Sequence, residues 1–224
     1  MQRVSPVDPS AASDDVKAIW EGVETLLGRV PNCWRVLAHS PDVARWLLPF
    51  CATLHRSGTG SVLDVRIKNL VALETSVTNQ CAYCTSHNKS FGLGLGLTEE
   101  QVQVIDDGSY LESSLFDDRD KAALWWAEEV TKNTAKFNED CFQNLKMHFS
   151  EPEIVEITLM GGLFALFNRF NDSLFIDIED QDEVDRIRKT TVLPRAVVHG
   201  YAKDMAVEAG GSRGSGPVEV SATG

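Results

Sequence analysis

The sequence predicts an all-helical protein, and three observations predict it. Apolar residues recur at intervals of three and four in the long segments, as the buried face of a helix requires. Ser, Thr, Asp or Asn, the residues that cap helix starts, stand just ahead of these segments. Apolar and polar residues nowhere alternate over a useful strand length.

The elements follow in order. Ser13 before Asp14 and Asp15 opens a first helix with Val16, Ile19, Val23 and Leu26 on one face, ending near Gly28. After a turn at Pro31, Ser40 and Pro41 start a helix carrying Val43, Trp46, Leu47, Phe50 and Leu54. Pro49 should bend it, and Ser57 to Gly60 should stop it. Beyond Val62, the residues Leu63, Ile67, Leu70 and Val77 share one stripe, and Glu74 falls within it. Gly92, Gly94 and Gly96 read as the connection to a helix opened by Thr98 and Gln101 as a capping box and closed by Gly108.

The second half continues the pattern. Asp117 or Asp118 caps a helix holding Ala122, Trp125, Trp126 and Val130, and Asn138 caps a shorter one with Phe142, Leu145 and Phe149. Ser150 with Glu153 opens the most apolar segment, 154–170, expected to be a central helix buried on nearly every face. Gly161 and Gly162 would admit a close neighbour, and the polar end at Asn168 and Asn171 calls for a partner. Arg169 and Asp172, three apart, read as an ion pair. An acidic stretch follows Asp177, then a last helix around Arg195 to Val207. We expect a flexible N-terminus over 1–12, a single domain over 13–208 and a flexible Gly- and Ser-rich tail over 209–224.

Composition excludes several classes. The 224 residues, 43% of them hydrophobic, suffice for one core. A formal charge of -12 and the lack of a Lys/Arg cluster argue against nucleic acid. The N-terminus lacks a signal-peptide pattern, and the apolar run 157–167 is too short to cross a bilayer, so a soluble cytoplasmic protein without a membrane partner is expected. Five cysteines fit a disulfide scaffold poorly, and Cys33, Cys51 and Cys141 read as small buried hydrophobes. His39, His55, His148 and His199 fall near helix ends, where a surface or capping role is usual.

One segment carries chemistry. Cys81 and Cys84 are three positions apart, His87 is three beyond, and on a helix all three lie near one face. Thr78 or Asn79 would cap that helix and place both thiols in its first turn, where amide groups favour thiolate. The spacing alone leaves three readings open: a redox pair, a zinc site of Cys81, Cys84, His87 and Glu74, or two packed core thiols.

The run from Arg66 to Gly92, above all Asn79 through His87, resembles the core motif of the alkylhydroperoxidase D and carboxymuconolactone decarboxylase superfamily, in its peroxidase-related branch. Ser40 with Pro41, the Gly58 to Gly60 break, Asp118 with Arg119, and Phe167 to Asp172 match in order and spacing, so the resemblance covers about residues 20–175. It implies an alkylhydroperoxidase D-like helical bundle and a thiol-dependent peroxidase or disulfide oxidoreductase. Cys84 would attack peroxide, Cys81 would resolve the sulfenic acid, and His87 with an acid would relay protons. It implies peroxide or another small molecule as substrate, a separate dithiol electron donor, a homo-oligomer, and neither cofactor nor metal. The family glutamate position is Asn69 here, which cannot take a proton, and a common histidine position is Asn88. The nearest acid, Glu74, is therefore expected to complete the relay with His87. The alternative is a non-redox lyase or isomerase acting on a small organic acid or lactone, and a non-catalytic helical oligomer is a third reading.

Overall fold

The computed structural model describes residues 2–211. Among them run eleven α-helices: α1 (Asp14–Leu27), α2 (Asn32–Leu37), α3 (Pro41–His55), α4 (Val65–Thr78), α5 (Ala82–Gly94), α6 (Glu99–Asp106), α7 (Asp118–Lys132), α8 (Glu139–His148), α9 (Glu151–Leu174), α10 (Gln181–Asp185) and α11 (Arg195–Gly211). Short 3-10 turns occupy Pro9–Ala11, Ala135–Phe137 and Arg186–Lys189. The described residues contain no sheet, only an isolated bridge between Ser57 and Val192. The all-α expectation holds, while the tail expected over 209–224 lies almost wholly outside the described residues. No described helix is long and apolar enough to cross a membrane.

Helix starts form where side-chain oxygens satisfy the first free amides. Ser13 accepts from the Val16 amide, Asp117 from Asp120 and Asn138 from Cys141. Thr98 with Gln101 and Ser150 with Glu153 form the two expected capping boxes. Gly28 ends α1 in the left-handed conformation at φ 77°. Asp64, not Val62, opens α4, its carboxylate accepting from the amides of Arg66 and Ile67. The loop ahead of it is tied down by Glu156, which accepts from Ser61 Oγ and from the amides of Val62 and Leu63.

The central helix is α4 rather than α9. Every residue from Ile67 to Ser76 is buried, because α5, α7 and α9 pack around it. Helix α9 buries Ile157, Met160, Leu163, Phe164 and Phe167 but leaves Val155, Leu159 and Leu166 exposed. Its neighbours cover one side only, so the expectation of burial on nearly every face is corrected. Gly161 does admit a neighbour, since a methyl group there would lie 3.4 Å from Val130 Cγ1 of α7, whereas Gly162 faces open space. Arg169 binds the Ala165 carbonyl and makes no ion pair with Asp172.

Gly92 and Gly94 do not form a connection but close α5, and only Gly96, at φ 93°, makes the turn. Their smallness serves packing instead. A methyl group on Gly92 would sit 2.5 Å from Asn69 Oδ1 and 2.7 Å from Leu97 Cδ1, so α5 meets α4 at a distance only glycine allows.

Glu74 points from α4 toward the α6 and α7 side. Its Oε1 accepts from Thr78 Oγ1 at 2.7 Å, and the charges that bear on it are Glu128, Lys132 and Asp106. Burial raises its carboxyl to about 7, outweighing the Thr78 hydrogen bond. Because the folded value lies above the unfolded one, the stabilising contribution is complete below the unfolded value near 4.5 and is lost as pH rises through about 7. Glu74→Gln mimics the protonated form and should leave stability unchanged at acidic pH. Above neutrality it should stabilise the protein by on the order of 2–3 kcal/mol. Urea unfolding of both proteins across pH checks this, and a pH-independent difference would overturn it.

Candidate functional site

The chemistry-bearing segment begins at a strained turn. Asn79 ends α4, and Gln80 adopts φ 59°, a left-handed conformation that side chains rarely take. The reversal lets the Cys81 amide bond to the Ser76 carbonyl at 3.0 Å. Cys81 itself is the N-cap of α5, so the caps expected at Thr78 or Asn79 are displaced: both belong to the end of α4. Cys84 follows at the third helical position and His87 one turn later.

Cys81 and Cys84 are reduced and buried. Cys84 Sγ accepts from Asn171 Nδ2 at 3.1 Å, and Asn168 also bonds toward it. Asn168 in turn accepts from Asn79 Nδ2 at 2.8 Å and donates to Ser76 Oγ at 3.3 Å. These contacts answer the expectation that the polar end of α9 needs a partner. The Cys84 thiol is held well above its ordinary value by its hydrogen bond to Cys81, by burial and by the charge on Cys81, against the opposing amides of Asn168 and Asn171.

His87 meets an acid that the sequence reading did not single out. Its Nδ1 lies 2.7 Å from the Tyr83 carbonyl, so that nitrogen carries a proton, and Nε2 faces Glu179 Oε2 at 2.9 Å. The latter pair is not aligned as a directed hydrogen bond. Glu179 Oε1 also accepts from Tyr83 Oη at 2.8 Å and from the Asn32 amide. Burial pushes the Glu179 carboxyl up, but His87 and the Asn32 amide outweigh it and bring it down to about 2. The Tyr83 and His87 rings stack at 4.4 Å.

The structure therefore brings Cys81, Cys84 and His87 onto one helix start and leaves Glu74 apart, bonded to Thr78. The acid beside His87 is Glu179, from the acidic stretch beyond α9. No group of three or more His, Cys, Asp or Glu among the described residues is placed to hold a metal ion. Asn69 and Asn88 pair at 3.0 Å, Asn69 Nδ2 donating to the Asn88 carbonyl, while Asn88 Nδ2 donates to Ser76 Oγ at 3.1 Å.

Cys84, His87 and Tyr83 line a cavity of about 70 Å³ together with Arg29, Cys33, Cys51, His55, Arg56, Phe164 and Asn171. That is room for a compact ligand or a few waters. Burial raises Cys33 to about 12 and Cys51 to about 11, which suits the inert role expected of them. His55 ends α3 as expected but is no surface group. It is buried between Phe91 and Phe164, with Nδ1 against Arg56 Nη1 at 2.6 Å.

The family model for the carboxymuconolactone decarboxylase family matches residues 41–129. The uncharacterized protein YdfG of Bacillus subtilis is 23% identical over 112 residues, 50% of this chain and 75% of that protein. The debrominase Bmp8 superposes with a TM-score of 0.67 at 22% identity, over 82% of this chain and 97% of its own. An uncharacterized peroxidase-related protein from Ralstonia eutropha, with an alkylhydroperoxidase core, does so at 0.65 and 24% identity, over 86% and 97%. The two solved structures share the fold. The family match runs from α3 into α7 and takes in the Cys81 to His87 segment, so over that stretch the chain is similar to the carboxymuconolactone decarboxylase family.

Proposed function

We propose that the protein is a thiol-dependent peroxidase or disulfide oxidoreductase of the peroxidase-related branch, working through Cys81 and Cys84. The observation that carries this reading is the pair of free thiols at the start of α5, with Cys84 lining a cavity that His87 also lines. In the first step the Cys84 thiolate attacks one peroxide oxygen, the O–O bond breaks, and the leaving oxygen takes a proton to depart as alcohol or water. The Cys84 sulfenic acid then condenses with the Cys81 thiol, forming the disulfide and releasing water. A separate dithiol supplies two electrons and two protons to restore the pair.

His87 is the proton carrier in this reading, and Glu179 is its positioning residue in the place first expected for Glu74. The Tyr83 carbonyl fixes the ring through Nδ1, leaving Nε2 as the exchanging atom against Glu179. A thiol held high needs such help, since only thiolate attacks. The likeness to a debrominase is compatible with nucleophilic thiol chemistry on an organic substrate as well as on peroxide. The non-redox reading draws on one observation: Asn69 and Asn88 put neutral amides where the family resemblance leads one to expect an acid and a histidine.

We further propose that copies of the chain associate. Val155, Leu159 and Leu166 of α9, and Val43, Trp46 and Phe50 of α3, are apolar and exposed at helical spacing. Light scattering at micromolar concentration should give a dimer or larger mass, and a monomer would count against it.

Mass analysis of the Cys81 to Cys84 peptide after mild peroxide tests the chemistry. The parent should lose the mass of two hydrogens as the disulfide forms, Cys81→Ser should gain one oxygen, and Cys84→Ser should do neither. Oxidation spread evenly over all five cysteines would sink the redox reading and leave the acid-directed one.

Glu179→Gln should slow disulfide formation by roughly a hundredfold and alter its pH profile, whereas Glu74→Gln should change it less than about twofold. Equal effects of the two substitutions would remove Glu179 from the relay.

A further inference from the structure

The cavity beside Cys84 holds a concentration of positive charge that the thiol chemistry does not use. Arg29 and Arg56 both line it, both are at least 98% buried, and no carboxylate among the described residues lies within ion-pair distance of either. Such burial without a counter-ion is costly in any protein, and it stands out in a chain of net charge -12. The two guanidinium groups repel each other: burial and the charge on Arg29 together bring Arg56 down to about 10.

Their hydrogen-bond inventory is incomplete in one direction. Arg29 Nη1 and Arg56 Nε are buried donors without an acceptor. His55 adds a third. Its Nδ1 faces Arg56 Nη1, which can only donate, so Nδ1 must accept and the ring proton sits on Nε2. Burial and the charges of Arg56 and Lys68 keep the ring neutral, its value lowered well below the ordinary one. His55 Nε2 is also buried and unpartnered. Phe164, Phe167, Trp34 and Leu27 give the same space an apolar wall.

From these three orphan donors around one small apolar cavity, we propose that Arg29, Arg56 and His55 form a binding site for the carboxylate of a small-molecule substrate held beside Cys84. A carboxylate offers several acceptor positions and one negative charge, which matches three N–H groups on two cations and a neutral ring. The apolar wall then takes a short hydrocarbon body. Asn88 and Asn171 leave their Oδ1 atoms unpartnered on the same cavity and serve donor groups on the ligand. The inference rests on the proposed function only in calling the ligand a substrate, because the donors exist whether or not the thiols turn over.

Butyrate and butyramide are the probes, since they share shape and differ in charge. With reduced full-length protein, no peroxide and ionic strength held with sodium chloride, butyrate should raise the melting temperature saturably and butyramide should not. Arg29→Met and Arg56→Met should each weaken butyrate by roughly tenfold or more. Neither should lower the melting temperature of the free protein, since each removes an uncompensated buried charge. Equal shifts from acid and amide, no shift from either, or full butyrate binding in both arginine variants would overturn the site. The wild-type comparison stands even if a variant does not fold. Butyrate binding without peroxide oxidation of Cys84 would sink the redox reading and keep this site, and the converse result would do the opposite.

Discussion

The turn between α4 and α5 is the constraint on which the site depends. Gln80 accepts a left-handed backbone so that the chain reverses within a few residues and the Cys81 amide reaches the Ser76 carbonyl. That conformation costs a non-glycine residue about 1–2 kcal/mol, which the packing of α5 on α4 must offset. Were the turn looser, Cys81 would not cap α5, and Ser76 would no longer gather Asn88 and Asn168 behind the thiols.

Behind that turn the core is stitched by amides instead of charges. Asn69 bonds to Asn88, Asn88 to Ser76, Asn168 to Ser76 and Asn79, and Asn171 to Cys84. Amides can be buried with little penalty when paired, and they hold sulfur without supplying a proton. Gly92 completes the arrangement, since any larger residue there would collide with Asn69 Oδ1. With neutral groups at positions 69 and 88, the proposed chemistry leaves proton transfer to His87, which meets Glu179.

What was legible in the sequence was local, and what was not legible was long-range. Caps at Ser13, Thr98, Asp117, Asn138 and Ser150 were readable because each satisfies amides within three residues of itself. The Cys81, Cys84 and His87 face was readable for the same reason, one helix sets it. Glu179 was not, because it lies 92 residues beyond His87 in sequence and sits in an acidic run that looks like a solvated surface. Glu74 was misplaced toward the thiols because a helical stripe specifies a buried direction without naming the neighbour, and α4 is buried on all sides. Arg29 and His55 gave no signal either, since polar side chains at helix ends normally face water.

The same long-range logic explains why an acidic chain keeps a cationic cavity. A surface of excess Asp and Glu gives solubility but would lower the local concentration of any anion near it. A carboxylate-bearing ligand therefore gains nothing from the outer field and must be drawn by groups that the field does not screen. Buried guanidinium groups meet that requirement, because water and salt reach them least and their charge acts at short range in a low-dielectric space. Glu179 does not cancel them: its partners are His87, Tyr83 and the Asn32 amide, and it is not part of the cavity lining. The cavity thus keeps two cations with no carboxylate in its lining, and Cys84 lines the same space.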